Sequence, residues 1–237
     1  MPRHGRKHRE ALARIARQEA YSPREALTLV KETSYTRFDA TVEMHLQLGI
    51  DPRRADQQVR RVVNLPSGTG RQLRILVFAE GEPARIAKSA GADYVGADDI
   101  VEKIQGGWLD FDIAIAIPQV MGKVGRLGRI LGPRGLMPNP RAGTIVQPDD
   151  LAQVIQEARQ GRVEFRTDRG AGLHVPIGKV RFTVEQLLAN FLAVLEAVWT
   201  ARPPGAKGRY VNKIVVCSSM GPGIKVDLNA AHALRAP

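Results

Sequence analysis

Between Thr41 and Ile50 the side chains alternate: Val42, Met44, Leu46, Leu48 and Ile50 are apolar, and Thr41, Glu43, His45 and Gln47 stand between them. A period of two marks a strand with one face on a core and the other open. Upstream, residues 10–20 (EALARIARQEA) are expected to form a helix with Leu12 and Ile15 inward. Ser22-Pro23-Arg24-Glu25 then carries the signature of a capping box with proline at the first helical position, opening a second helix through Leu27, Leu29 and Val30. DPRRADQQ reads as a turn or short helix, and VRRVVNLP as a second strand ending at Pro66.

From Gly68 the pattern changes. Apart from Arg74, Leu73–Ala79 is a continuous apolar run, as in a strand covered on both faces, and a helix is expected over 83–90. Tyr94-Val95, a helix over 98–105, a strand over 112–117, Thr144-Ile145-Val146 and a helix over 149–159 continue the alternation of a small doubly wound α/β unit. After Gly161 the first style returns. RVEFRTD and LHVPIGKV read as strands, and Thr183 and Gln186 cap a helix with Val184, Leu187, Leu188, Phe191, Leu192, Leu195 and Val198 as its apolar positions. RYVNKIVVCSS, a turn at Met220-Gly221-Pro222-Gly223 and IKVDL form a strand-turn-strand. Neither flank alone has enough helix and strand to close a core. The expected fold class is therefore α/β in two domains: a discontinuous two-layer α+β domain (1–67 and 161–237) with an inserted doubly wound, Rossmann-like α/β domain (68–160).

The stretch from Met121 to Gly143, MGKVGRLGRILGPRGLMPNPRAG, holds six glycines, three prolines and five basic residues with no acid. Val124, Leu127, Ile130 and Leu131 at helical spacing, followed by prolines, suggest a short helix passing into a stiff loop. A phosphate-cradling loop is not supported, because Gly122, Gly125 and Gly128 fit neither glycine-rich template and Gly172 and Gly178-Lys179 miss the phosphate-loop spacing.

The net charge is +11, and its position matters more than its size. Residues 1–67 carry 13 bases and 8 acids, 68–160 carry 11 of each, and 161–237 carry 11 and 5. The excess thus lies on the two flanks, as expected of a footprint for a polyanion, and arginine predominates, which suits bidentate contact with phosphates and guanine edges. Solubility or base composition of the genome accounts equally well for the arginine usage alone. The one cysteine, Cys217, excludes a disulfide framework and fits a reducing cytoplasm. His4, His8, His45, His174 and His232 are scattered without ligand spacing, so neither a metal nor a cofactor is expected. No apolar run approaches the roughly 20 residues needed to span a bilayer, and the N-terminus reads as a solvated basic helix rather than a signal or presequence.

LGRILGPRGLMPNPRAGT, with GADYVG before it, GIDPRRADQ nearer the start, the MPRHGRKHRE opening and SSMGPGIKV near the end, closely resembles the universal ribosomal protein L-one family, bacterial type, over nearly the whole chain. The resemblance implies a non-enzymatic protein, monomeric within the ribosome, whose discontinuous domain binds large-subunit ribosomal RNA at the mobile stalk near the exit site for transfer RNA. It also implies a repressor that binds the messenger of its own operon. Three patches are candidates for RNA contact: Arg37, Phe38, Asp39, Thr41 and Glu43; Arg166, Asp168 and Arg169 at a strand end, with His174 and Lys179 beyond; and Ser218, Ser219, Met220, Gly221 and Pro222. Thr41 and Glu43 share a strand face and can meet 2′-hydroxyls and base edges, and methionine offers an apolar surface to a sugar or base. An ordinary exposed strand face, a solvated loop and a hairpin turn are the plain alternatives.

Ala40 stands where the family commonly has glutamate and Arg181 where it has a small residue, and both are expected to make the local surface more positive. The 12 aromatic residues include no clustered pair on a strand, which argues for shape and sugar-edge recognition over base stacking on a sheet. In the central domain Lys123, Arg126, Arg129 and Arg134 are candidates for a secondary RNA contact, such as exit-site transfer RNA, and a loop packed on its own domain is an equal alternative. Two rival functions are a Rossmann-like enzyme, for which the sequence shows no acid-base pair, nucleophile set or metal cluster, and an RNA-binding regulator outside the ribosome.

Overall fold

The computed structural model describes residues 5–16 and 19–234. Residues 1–4, 17–18 and 235–237 lie outside it, including His4 and part of the expected 10–20 helix. The chain separates into two compact units, one running to Gly70 and resuming at Gly161, the other Arg71–Gln160.

The opening segment carries α1 (Arg6–Ala13), α2 (Pro23–Glu32), β1 (Thr41–Leu48) and β2 (Arg60–Asn64). α1 begins and ends earlier than the apolar spacing suggests. An i,i+4 ion pair between Arg6 and Glu10 supports its first turns, and Ile15 is buried from a bend beyond the helix while Leu12 stays half-exposed. α2 starts as the capping box requires, with Ser22 Oγ accepting from Glu25 N and the Glu25 carboxylate accepting from Ser22 N.

The second unit contains β3 (Ile75–Phe78), α3 (Glu82–Ser89), β4 (Tyr94–Gly96), α4 (Asp98–Gln105), β5 (Ile113–Ala116), α5 (Met121–Val124), α6 (Gly128–Leu131) and α7 (Leu151–Gln160). Its parallel sheet has the order β4-β3-β5, with every β3 side chain buried, as a strand covered on both faces demands. The Thr144–Val146 segment is not a full strand: it touches the sheet through a single bridge between Ala116 and Ile145. The glycine-rich stretch is a helix broken into α5, a 3-10 turn over Gly125–Leu127 and α6, and Val124, Leu127 and Leu131 fix it to the core of this unit.

The returning segment carries β6 (Arg162–Arg166), β7 (Gly172–Lys179), α8 (Val184–Thr200), β8 (Val211–Ser218), β9 (Ile224–Val226) and α9 (Leu228–Ala233). α9 is absent from the sequence-based expectation; it is short, and the Asp227 carboxylate caps it by accepting from Asn229 N. β7-β1-β8-β9 form an antiparallel sheet, and β2 pairs with β6 as a separate ribbon. One face of the four-stranded sheet presents Met44, Val175 and Val216 to α2 and α8, where Leu27, Phe191 and Val194 are fully buried. Each such side chain contributes about 1.5–3 kcal/mol. Asn190 of α8 is the polar tie within this core. It accepts from Ser67 N (2.9 Å) and donates to Gly68 O (2.9 Å) and Ile177 O (2.8 Å), joining the chain beyond β2 to β7.

Candidate nucleic-acid interface

Antiparallel register decides which candidate residues meet. Thr41 opens β1 opposite Lys179 at the end of β7, while Val42 faces Ser218 at the end of β8. One end of the sheet therefore gathers residues 37–41, Lys179 and the 218–222 turn. Thr41 N donates to Ser219 Oγ (3.2 Å), Ser219 N donates to Thr41 O (2.9 Å), and Lys179 Nζ donates to Thr41 Oγ1 (2.9 Å). Arg37 and Phe38 sit just outside, both exposed, Phe38 at 57%.

The turn is closed by Gly221 N donating to Ser218 O (2.8 Å), which puts Met220 at its third position. Met220 has φ +62°, a left-handed conformation that glycine or asparagine usually occupies, yet the residue is 72% exposed. Tyr35 Oη donates to the Met220 carbonyl and holds it there. Gly221 is fixed by close approach, because a Cβ would stand 2.3 Å from Ser218 Oγ. Ser218 and Pro222 are buried, so of the third patch only Ser219 and Met220 reach outward with side chains.

The structure changes the reading of local charge at Ala40 and Arg181. Ala40 is fully buried, so it contributes nothing to surface charge. Arg181 does add a cation, but Asp39 neutralises it: Arg181 N donates to Asp39 Oδ1 (3.2 Å), and its Nε lies 3.3 Å from Asp39 Oδ2. Asp39 thereby anchors a loop.

The second patch divides. Lys179 belongs with the first, whereas Arg166, Asp168 and Arg169 lie toward the other end, where Gln47 of β1 pairs with Gly172. Six residue steps of strand separate Thr41 from Gln47, about 20 Å. Asp168 organises its own turn, accepting from Gly170 N (2.8 Å) and Gly172 N (2.6 Å); the Gly172 bond is the main reason its carboxyl titrates below the usual range. Arg166 and Arg169 are exposed beside it.

Between the two ends runs the open face of the sheet. Glu43 and His45 point onto it from β1, His174 from β7 and Cys217 from β8. The histidines are not scattered as the sequence suggests: His45 Nδ1 and His174 Nδ1 are 2.7 Å apart, and His45 Nε2 is 3.1 Å from Cys217 Sγ. Burial and the neighbouring His174 lower the His45 pKa against the opposing pull of Glu43. Burial, with Glu43 adding to it, pushes the Cys217 thiol up to about 11. Lys213 and Lys225 are exposed on the same face, and the sequence reading missed both. Their signal was available, because Lys213, Val215 and Cys217 alternate with buried Ile214 and Val216.

In the second unit Lys123 donates to Glu80 (2.5 Å) and Asp98 (2.7 Å), so its charge is engaged within that unit. Arg126, Arg129 and Arg134 are exposed, and a Cβ at Gly122, Gly125 or Gly128 would meet nothing within 4 Å. Packing does not require those three glycines. Among the described residues no helix is long and apolar enough to cross a membrane.

The chain is 58% identical over 236 residues to large ribosomal subunit protein uL1 of Chloroflexus aggregans, covering 99% of this chain and all of that protein. Proteins of the same name from Thermobifida fusca and Lactobacillus acidophilus are 55% and 52% identical, covering 95% and 96% of this chain and 95% and 98% of their own lengths. The sequence pattern of the Ribosomal protein L1p/L10e family matches residues 30–222, and the chain belongs to that family.

Proposed function

We propose that this protein is a structural, non-enzymatic component of the large ribosomal subunit in the cytoplasm, and that it binds large-subunit ribosomal RNA through the sheet end built from Arg37, Phe38, Thr41, Lys179, Ser219 and Met220. The observation that carries the proposal is Met220, an apolar residue 72% exposed in a left-handed backbone position, at the sheet end that also carries the exposed Arg37 and Phe38 and the Lys179 ammonium. Neither apolar residue stabilises the free protein by being in water. Against RNA, Phe38 offers a surface on which an unstacked base can lie, Met220 covers a ribose, the hydroxyls of Thr41 and Ser219 reach 2′-hydroxyls, and Arg37 and Lys179 neutralise phosphates. Glu43 extends this surface onto the open face, where a carboxylate accepts from a base amino group. Arg166, Arg169, Lys213 and Lys225 lie further along and add attraction without base choice.

The relatives' names support the large subunit as the setting. Binding at the mobile stalk, repression of the protein's own messenger by the same surface, and contact of Arg126, Arg129 and Arg134 with exit-site transfer RNA are finer parts of the proposal. A messenger that folds like the ribosomal target would meet the same residues, so the two RNAs are expected to compete. Sedimentation of a cell extract tests the setting: co-migration with the large subunit is expected, whereas recovery only with free RNA would support a regulator outside the ribosome. Addition of the purified protein to a translation reaction programmed with its own messenger tests repression, which should be relieved by stalk RNA in excess.

A further inference from the structure

On the open face of the four-stranded sheet, three different metal-ligating groups converge although the sequence spreads them over 175 positions. The ligating atoms of Glu43, His45 and Cys217 all lie within 4.8 Å of one another, and all three residues are half-buried. His45 Nε2 is 3.1 Å from Cys217 Sγ and 3.7 Å from Glu43 Oε2. Zinc bound at about 2.0–2.3 Å to nitrogen, oxygen and sulfur needs its ligand atoms roughly 3.3–3.7 Å apart, so small side-chain rotations suffice. Strand pairing supplies the rigidity: Glu43 and His45 are i and i+2 on β1, and Cys217 is directly opposite Glu43 on β8.

Behind these three stands a positioning chain. His45 Nδ1 faces His174 Nδ1 at 2.7 Å, and His174 Nε2 lies 3.4 Å from Asp168 Oδ2. With both imidazoles neutral, one proton arrangement satisfies every link: His174 Nε2–H donates to Asp168, and His45 Nδ1–H donates to His174 Nδ1. That tautomer leaves the His45 Nε2 lone pair aimed at Cys217 and Glu43. A metal-bound histidine commonly has its other ring nitrogen held in this way by a hydrogen-bond partner. Without a metal, the Cys217 thiol donates to the same lone pair.

We propose that Glu43, His45 Nε2 and Cys217 Sγ form a site for one soft divalent cation of the zinc class, with water as the fourth ligand and His174 and Asp168 as positioning residues. Thiolate and imidazole select zinc or cobalt over magnesium or calcium. On binding, the Cys217 S–H bond breaks, a sulfur–metal bond forms and the proton leaves to solvent. His45 and Glu43 bind in their deprotonated forms, so affinity falls in acid.

The test is a cobalt(II) titration of the full-length, reduced protein after removal of metals with a chelator. Cys217 is the one cysteine of the chain, so a thiolate-to-cobalt charge-transfer band reports this site alone. A band saturating at one equivalent and bleached by zinc is expected. Cys217→Ser and His45→Gln should abolish it, and His174→Gln should weaken binding about 10- to 100-fold with the band unmoved. Absence of the band from the wild-type protein overturns the proposal whether or not any variant folds, and so does a band that survives His45→Gln. No RNA enters the experiment, so its failure leaves the RNA-binding proposal untouched.

Discussion

Replacing Met220 with glycine should separate stability from RNA affinity, moving them in opposite directions. Met220 holds φ +62°, and a left-handed backbone costs an L-residue about 1–2 kcal/mol. Glycine removes that cost and adds about 0.5–1 kcal/mol of unfolded-state entropy. The residue is 72% exposed, so little packing is lost, and the folded state should gain between about 0 and 1.5 kcal/mol. RNA binding should fall. Covering a methionine fully is worth about 1.5–3 kcal/mol, and the fraction still open to a ligand scales this to roughly 1–2 kcal/mol, a loss of about 5- to 30-fold in affinity. Urea unfolding of the free protein and a filter-binding titration with large-subunit RNA measure the two quantities on the same preparation. Loss of more than about 1 kcal/mol of stability, with RNA affinity unchanged, would refute the reasoning, because Met220 would then be a structural residue of its turn.

Asn190→Ala should destabilise the first unit by about 2–4 kcal/mol, since it leaves Ser67 N, Gly68 O and Ile177 O without their partner inside a core; urea unfolding checks this, and a loss under 1 kcal/mol would contradict it. Gly125→Ala, at φ −54° with open space around the new methyl, should stabilise the second unit by up to about 1 kcal/mol, and weakened binding of transfer RNA by the stabilised variant would show that Gly125 is kept for close approach of a partner. Arg37→Gln should lower RNA affinity and reduce the slope of log affinity against log salt by about 1, while an unchanged slope would remove Arg37 from the phosphate contacts.

Much of the fold was legible because it is written locally. The capping boxes at Ser22 and Thr183 mark helix starts to the residue, the alternation from Thr41 to Leu48 states which face of β1 is open, and the unbroken apolar run of β3 states that it has no open face. Features set by register were not legible. The His45–His174 contact joins residues 129 positions apart and depends on the pairing of β1 with β7, which includes a shift between Val42 and Glu43. The same register moves Lys179 from the second patch to the first. α9 escaped notice because six residues carry too few turns for a periodic signal. Residue type alone also does not state what a side chain is bound to: Asp39 is engaged by Arg181 from a distant segment, and Asp168 by the backbone of its own turn.

The central claim is that the sheet end around Phe38 and Met220 recognises a particular RNA and does not merely attract charge. Titration of the protein with large-subunit stalk RNA and with a scrambled duplex of equal length, repeated at several salt concentrations, tests this most directly. Affinity for both should fall as salt rises, with the preference for the stalk RNA preserved. Equal affinity for the two RNAs at every salt concentration would contradict the account and reduce the basic flanks to a nonspecific polycation.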